Sequence, residues 1–414
     1  MRAFRSLSPW LFSALLLAAC GGGDPDVAGS GSTAGAPTTK GSFTAVVSFG
    51  DSLSDIGTYT PATALGNGFF FGGKFTTNDT TGSPPGVNPN PPDANALGKV
   101  WVENIAASLG IIVTPAETGG FGTPTVMCPA AAVPALATTC TAYGQGGSRV
   151  TNPIGIGNTA APPGALTVPV VTQIANHLAR FGSFKSSDLI LVYAGSNDVF
   201  VQFGTFGATA ATIQAQAAAG TITADQANQA LFVAQQTAEA GMKQAAQDLV
   251  ADVETQILAK GGKYVAVMEL SDISDTPLGQ SILATQGPAA TGVLTALSQT
   301  FNLWLHDGLT GQPVQIIPTF ALFKDSYTNP GKYGFVNNTT PACDVAKINA
   351  IFGLALTSGY SLSCNATPGA PYNGLRTGAD VTTWQFADDV HPTTGGHKAI
   401  SDIFTAQLKS FGWI

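Results

Sequence analysis

Four short apolar runs stand out along the chain, each bounded by polar or turn-forming residues. They are residues 43–49 (FTAVVSF), 188–194 (DLILVYA), 264–270 (YVAVMEL) and 314–320 (VQIIPTF). None shows the strict alternation of a strand with one wet face. Compact runs rich in Val, Ile and Leu are the pattern of strands buried on both sides. Residues 111–113 (IIV) offer a fifth, shorter candidate. Between these runs apolar positions recur three and four apart, the period of an amphipathic helix. The helices expected are 100–109, 170–181, a long one from about 224 to 260, 291–305 and 394–411. Thr223-Ala224-Asp225-Gln226 has the form of a capping box, which places the start of the long helix. Its stripe runs Leu231, Ala234, Ala238, Met242, Ala245, Leu249, Val253, Ile257, and Gly261-Gly262 ends it. Residues 60–99, 115–168 and 325–385 carry no such period and read as loop.

Buried strands alternating with amphipathic helices predict an α/β protein, a parallel sheet with helices on both faces. No repeat and no internal linker is visible, so residues 42–414 read as one domain. In sheets of this kind functional groups gather at the carboxyl ends of the strands, which directs attention there.

Composition narrows the function. The 414 residues carry 17 Lys and Arg against 25 Asp and Glu, a net charge of −8. That argues against nucleic acid, which needs clustered positive charge. It also argues against docking on anionic lipid through a basic patch. Apolar content of 44% is enough to bury a core.

Residues 1–19 read as a signal peptide. Arg2 and Arg5 precede a short apolar stretch from Trp10 to Ala19. Leu17-Ala18-Ala19-Cys20 followed by Gly21 resembles a bacterial lipobox, which implies a lipidated Cys20 and anchoring at the outer membrane. The alternative is cleavage at a small-residue site with the protein secreted. Residues 20–41, mostly Gly, Ser, Thr, Ala, Pro and Asp, read as a flexible tether. The four other cysteines are Cys128, Cys140, Cys343 and Cys364, an even set in an exported chain. Three pairings are open; Cys128–Cys140 and Cys343–Cys364 are favoured because each pair lies within one loop-rich segment. A metal site is disfavoured, since no Cys-x-x-Cys and no nearby His accompany them.

Three strand ends carry unusual chemistry. The first is Gly50-Asp51-Ser52-Leu53, where a Ser just past a buried strand is either a helix cap or a nucleophile. The second is Gly195-Ser196-Asn197-Asp198, whose Asn side chain either makes an Asx turn or donates to a developing oxyanion. The third is Asp388-Asp389-Val390-His391. A carboxylate three residues before a His can reach its Nδ1, leaving Nε2 to take a proton from a Ser. The chain has only four His; His177 falls in an expected helix, His306 directly follows one and His397 opens one, where packing or capping explains them.

Together these pieces, with Tyr143-Gly144-Gln145-Gly146-Gly147-Ser148-Arg149, resemble the GDSL, or SGNH, family of lipases and esterases. Weaker matches lie at Gly73-Lys74-Phe75-Thr76-Thr77-Asn78 and Val100-Trp101-Val102. The resemblance implies a three-layer α/β/α fold with flavodoxin-like strand order. It implies Ser52 as nucleophile, His391 as general base and Asp388, not Asp389, as its orienting acid. The oxyanion donors implied are the Ser52 N–H, the Gly147 N–H (with Gly146 the alternative) and the Asn197 side chain. Hydrolysis through an acyl-enzyme without metal or cofactor is expected, by a monomer. Family substrates span simple acyl esters, phospholipids, thioesters and acetylated glycans, and the sequence does not choose among them. Residues 79–98 look inserted, behind the run Phe69-Phe70-Phe71; they are either a surface loop or a wall of the acyl pocket.

Other readings fit less well. The chain has no Gly-x-Ser-x-Gly elbow, no His-Glu-x-x-His and no phosphate-binding Gly-Lys-Ser/Thr loop. A surface-binding lipoprotein that has lost catalysis is the alternative of a different class.

Overall fold

The computed structural model describes residues 35–63, 73–78, 98–367 and 372–414. The lipobox with Cys20, the run Phe69-Phe70-Phe71 and nearly all of the inserted stretch therefore lie outside the described residues. Strands are β1 (Ala45–Gly50), β2 (Thr114–Pro115), β3 (Glu117–Gly120), β4 (Thr123–Met127), β5 (Cys140–Ala142), β6 (Asp188–Tyr193), β7 (Tyr264–Met268) and β8 (Gln315–Ile317). Six of them form one sheet in the order β2-β5-β1-β6-β7-β8, and every pairing in it is parallel. Without the two-residue edge β2, the order in chain sequence is second, first, third, fourth, fifth, the flavodoxin-like arrangement.

The central strands are buried on both faces because helices cover both. Phe49 of β1 packs against Tyr143, His177 and Phe184. Tyr193 of β6 instead meets Trp101 and Phe404, which come from helices Trp101–Ser108 and Thr394–Ser410. The long helix starts at Ala224 with both halves of the expected capping box formed. It passes through one wide turn, Val253–Ile257, and stops at Gly261 in the left-handed conformation. Among the described residues no helix is long and apolar enough to cross a membrane.

Several expectations are corrected. Residues 111–113 are not paired: Ile111 N–H bonds back to Ala106 O of the preceding helix, and pairing begins at Thr114. The segment 115–168 is not all loop, since it holds β5 and the antiparallel hairpin β3–β4. Ser196–Ala218, Pro277–Gln286, Thr319–Thr328 and Val345–Phe352 are helices that the period did not reveal. The helix beginning at Thr319 cuts short the strand expected over 314–320. The folded part also reaches further back than Ser42. Trp413 Nε1 donates to Pro37 O at 2.6 Å and Gly41 N–H to Trp413 O at 2.8 Å, so the end of the expected tether is docked on the C-terminus.

Cys128–Cys140 and Cys343–Cys364 are both disulfide-bonded. They close spans of 12 and 21 residues. Loops of that length are worth about 3 kcal/mol each in the chain-entropy model. Full reduction should therefore lower the melting temperature by at least several degrees, with Cys128→Ser and Cys343→Ser each giving part of the shift; equal melting curves with and without reductant would refute it.

Candidate active site

β1 delivers Ser52. Gly50 closes the strand at φ +154°, and a Cβ there would lie 2.1 Å from Tyr193 O, so only glycine lets the two strand ends approach this closely. Gln173 clamps the same residue on both sides: Gly50 N–H donates to its Oε1 (2.9 Å) and its Nε2 donates to Gly50 O (2.8 Å). The chain then enters a short 3₁₀ turn, Ser52–Ser54, capped by Asp51 Oδ1 accepting from Leu53 N–H at 3.1 Å. The Ser52 N–H is one of the orphan donors at the start of that turn. Asp51 is buried beside the nucleophile position, and burial pushes its carboxyl up to about 6.

His391 Nε2 lies 2.8 Å from Ser52 Oγ. Its Nδ1 lies 2.8 and 2.9 Å from the two oxygens of Asp388. Asp388 is fully buried, and it also accepts from the N–H groups of Ser361 (3.1 Å), Val390 (3.0 Å) and His391 (2.8 Å). Burial alone would raise its carboxyl, but the facing imidazole and these hydrogen bonds outweigh it and hold the carboxyl at about 2. Asp388 thus stays ionised across the working range and presents an acceptor to Nδ1. That fixes Nδ1 as the protonated nitrogen and leaves the Nε2 lone pair facing Ser52. Asp389 turns elsewhere, accepting from the Tyr360 hydroxyl at 3.2 Å.

The loop carrying Gly146 and Gly147 is tied from both sides. Asp55 accepts from Gly57 and Thr58 N–H through Oδ1 and from Gly146 N–H through Oδ2 at 2.9 Å. Gly146 N–H is therefore committed, which leaves Gly147 as the glycine able to donate to an oxyanion. Gly147 has φ +83°, and a Cβ on it would sit 2.1 Å from Ile156 O. On the other side β6 leads through Gly195 into helix Ser196–Ala218, whose first turn supplies Asn197 and Asp198. Asn197 Nδ2 donates to Ser148 O at 2.9 Å. Asp198 pairs with Arg149 Nε at 2.7 Å and accepts from Val150 N–H at 3.0 Å. One of the two Asn197 N–H groups holds the loop, and the amide plane is fixed by that bond.

An aromatic wall backs the site. The Phe75 ring lies 4.8 Å from that of His391 and would be struck by a Cβ on Gly146. Tyr59 packs on Phe75 and donates its hydroxyl to Gly146 O at 2.7 Å. The structure thus gathers Ser52, Asp388 and His391 into one hydrogen-bonded chain, with Gly147 and Asn197 on the facing loop and helix end. Asp55, Gln173, Phe75 and the Ser361 N–H are supports that the sequence did not single out as such. Gln173 had a signal, being the polar residue on the buried stripe Val170, Gln173, Ile174, His177. His177 is packed in the interior among Phe49, Tyr143 and Phe184, and His397 is buried directly behind the aromatic wall with Nε2 3.3 Å from Phe75 O; burial lowers them to about 4 and about 3. Among the described residues no cluster of His, Cys, Asp or Glu could hold a metal ion.

Within a parallel sheet of this order, Ser52 just beyond the carboxyl end of β1 is hydrogen-bonded to His391 and through it to Asp388, an arrangement able to activate a hydroxyl as a nucleophile. The GDSL-like lipase/acylhydrolase family matches residues 46–404, most of the chain, and the protein belongs to that family. Membership makes it, in general terms, an ester hydrolase. No curated protein matches the chain.

Proposed function

We propose that this protein is a serine carboxylic ester hydrolase of the lipase/esterase type that works through an acyl-enzyme. The observation that carries the reading is the unbroken chain Ser52 Oγ, His391 Nε2, His391 Nδ1, Asp388, with contacts of 2.8 and 2.8 Å. In the first half-reaction Ser52 Oγ attacks the ester carbonyl carbon while its proton passes to His391 Nε2. The carbonyl oxygen becomes an oxyanion facing the N–H groups of Ser52, Gly147 and the Asn197 side chain. Collapse breaks the bond to the alcohol, which takes the proton from His391. Water then repeats the sequence on the acyl-enzyme and releases the acid.

An acyl rather than a purely polar substrate is supported by the surroundings. Leu53 and Val390, chain neighbours of Ser52 and His391, line an apolar cleft with Phe323, Phe335 and Ile400. A serine-reactive phosphonate should label Ser52 alone, and an activated ester should give a stoichiometric burst of its alcohol. A label on any other residue overturns the assignment, and the absence of any burst or turnover would favour the non-catalytic lipoprotein.

Export and anchoring belong to the same proposal. The leader pattern with Leu17-Ala18-Ala19-Cys20 supports lipidation of Cys20 and attachment to the outer membrane. The presence of two disulfides agrees with an oxidising compartment. Mass spectrometry of the mature N-terminus decides between a diacylated Cys20 and an unlipidated end at another residue.

A further inference from the structure

Phe75 sits where the reaction puts its positive charge. When His391 Nε2 takes the proton of Ser52, the imidazole becomes an imidazolium. Its two nitrogens already have partners, Asp388 at Nδ1 and Ser52 at Nε2. Its face has Phe75, with the ring centroids 4.8 Å apart and the planes 35° from each other, closer to parallel than to edge-on. A cation within about 6 Å of a phenyl centroid is drawn to the negative face of the ring. Phe75 is 9% exposed and His391 7%, so little water screens that attraction.

The surroundings hold Phe75 in place and leave its face to His391. Tyr59 packs against the ring at 85°, and a Cβ on Gly146 would lie 2.2 Å from Phe75 Cε2. Asn78 Nδ2 donates to Lys74 O and to Ser361 O, each at 2.9 Å, which closes the Phe75 loop onto the turn that serves Asp388. Two other cations could compete for the ring, Lys74 and His397. The Lys74 ammonium is taken by both oxygens of Glu103, at 2.8 and 2.9 Å. His397 Nδ1 accepts from Trp101 N–H at 3.3 Å, so Nε2 carries the hydrogen and donates it to Phe75 O at 3.3 Å. Burial holds His397 down at about 3, so it is neutral while it does this. The other charged groups that act on His391 are carboxylates: Asp388 and Asp389 on its own segment, and Asp51 beside the nucleophile.

We infer that Phe75 is a positioning residue of the hydrolytic reaction, its ring face stabilising the imidazolium that forms on His391 in each half-reaction. The inference rests on the ester-hydrolase reading for turnover, but the contact with a protonated His391 does not need turnover. The test replaces Phe75 in the full chain by phenylalanines bearing two, three or five ring fluorines. Fluorine withdraws electrons from the ring face and nearly keeps the ring's shape. With five fluorines kcat on a dissolved ester should fall about tenfold, with intermediate losses for fewer, KM within about twofold and the melting temperature kept. Phe75→Leu, which fills space without a π face, should lose about as much. In Ser52→Ala, the five-fluorine ring should make His391 hold its added proton about tenfold more weakly, read by NMR titration of the imidazole. Constant kcat across the fluorine series overturns the proposal. So does a loss that comes only as a higher KM or a lower melting temperature, which a merely structural ring would give. If no ester is hydrolysed but fluorination still weakens the His391 proton, the ester-hydrolase reading falls and the contact with the charged imidazole stands. If that proton is held equally well, the contact falls too.

Discussion

Ser52→Ala and His391→Ala should each lower kcat by about 10⁴-fold or more, and the double variant should be no worse than the poorer single one. The two side chains act through one proton shared over 2.8 Å, so removing either removes the whole unit. What survives is catalysis from the oxyanion donors and from binding, which neither substitution touches. Asp388→Asn should cost less. Asp388 Oδ1 accepts from Val390 N–H, His391 N–H and His391 Nδ1 together. An Asn can keep its carbonyl oxygen there and with it the correct imidazole tautomer, but it loses the charge and replaces by an N–H₂ the Oδ2 that accepts from Ser361 N–H and also faces His391 Nδ1 at 2.9 Å. A loss of about 10²-fold is expected, with kcat of purified, folded variants on a dissolved ester as the readout. Full activity in Ser52→Ala, or multiplied losses in the double variant, would show that the serine and histidine do not work as one.

The second large effect lies at the facing donors. Asn197→Ala removes a side-chain N–H₂, and Gly147→Ala forces a methyl against Ile156 O at a backbone angle that disfavours it. Each should cost about 10²–10³-fold in kcat, the usual magnitude for one oxyanion donor, with KM for a short ester changed only a few-fold. A rise in KM at constant kcat would mean that these groups bind the ground state rather than the transition state. Gly147→Ala has to move the loop held by Asp55 and Asn197, so its melting temperature should fall as well; Asn197→Ala adds no methyl to the loop but also removes its bond to Ser148 O, so its melting temperature is measured beside its kcat.

The sequence showed the chemistry more readily than the scaffold. Ser52 and Asn197 follow the carboxyl ends of the adjacent strands β1 and β6, whereas Asp388 and His391, expected at a third strand end, lie on no strand of the sheet but in the irregular segment before helix Thr394–Ser410. The central strands β1, β6 and β7 were visible because they are wholly buried and hence wholly apolar. Cys140–Ala142, which also pairs with β1, was not, because three residues make no period and Thr141 spends its hydroxyl on Val46 O. Helix Ser196–Ala218 was hidden by its Gly, Thr and Ala content, which blurs the stripe; packing against helix Ala224–Asp252 compensates for its weak intrinsic preference. The supports were harder still to foresee. That Asp55 reaches Gly146, or Gln173 reaches Gly50, depends on separations of 91 and 123 residues that no local pattern encodes.

The disulfide Cys343–Cys364 joins the two segments that grip the triad acid. Cys343 N–H bonds to Ala387 O beside Asp388, and Cys364 N–H closes the turn whose Ser361 N–H donates to Asp388. In a reducing compartment this staple is open and the carboxylate loses the enforced company of its partners. Opening this disulfide should therefore loosen Asp388 before it unfolds the sheet, so that kcat on a dissolved ester falls under mild reduction while the far-ultraviolet signal is kept.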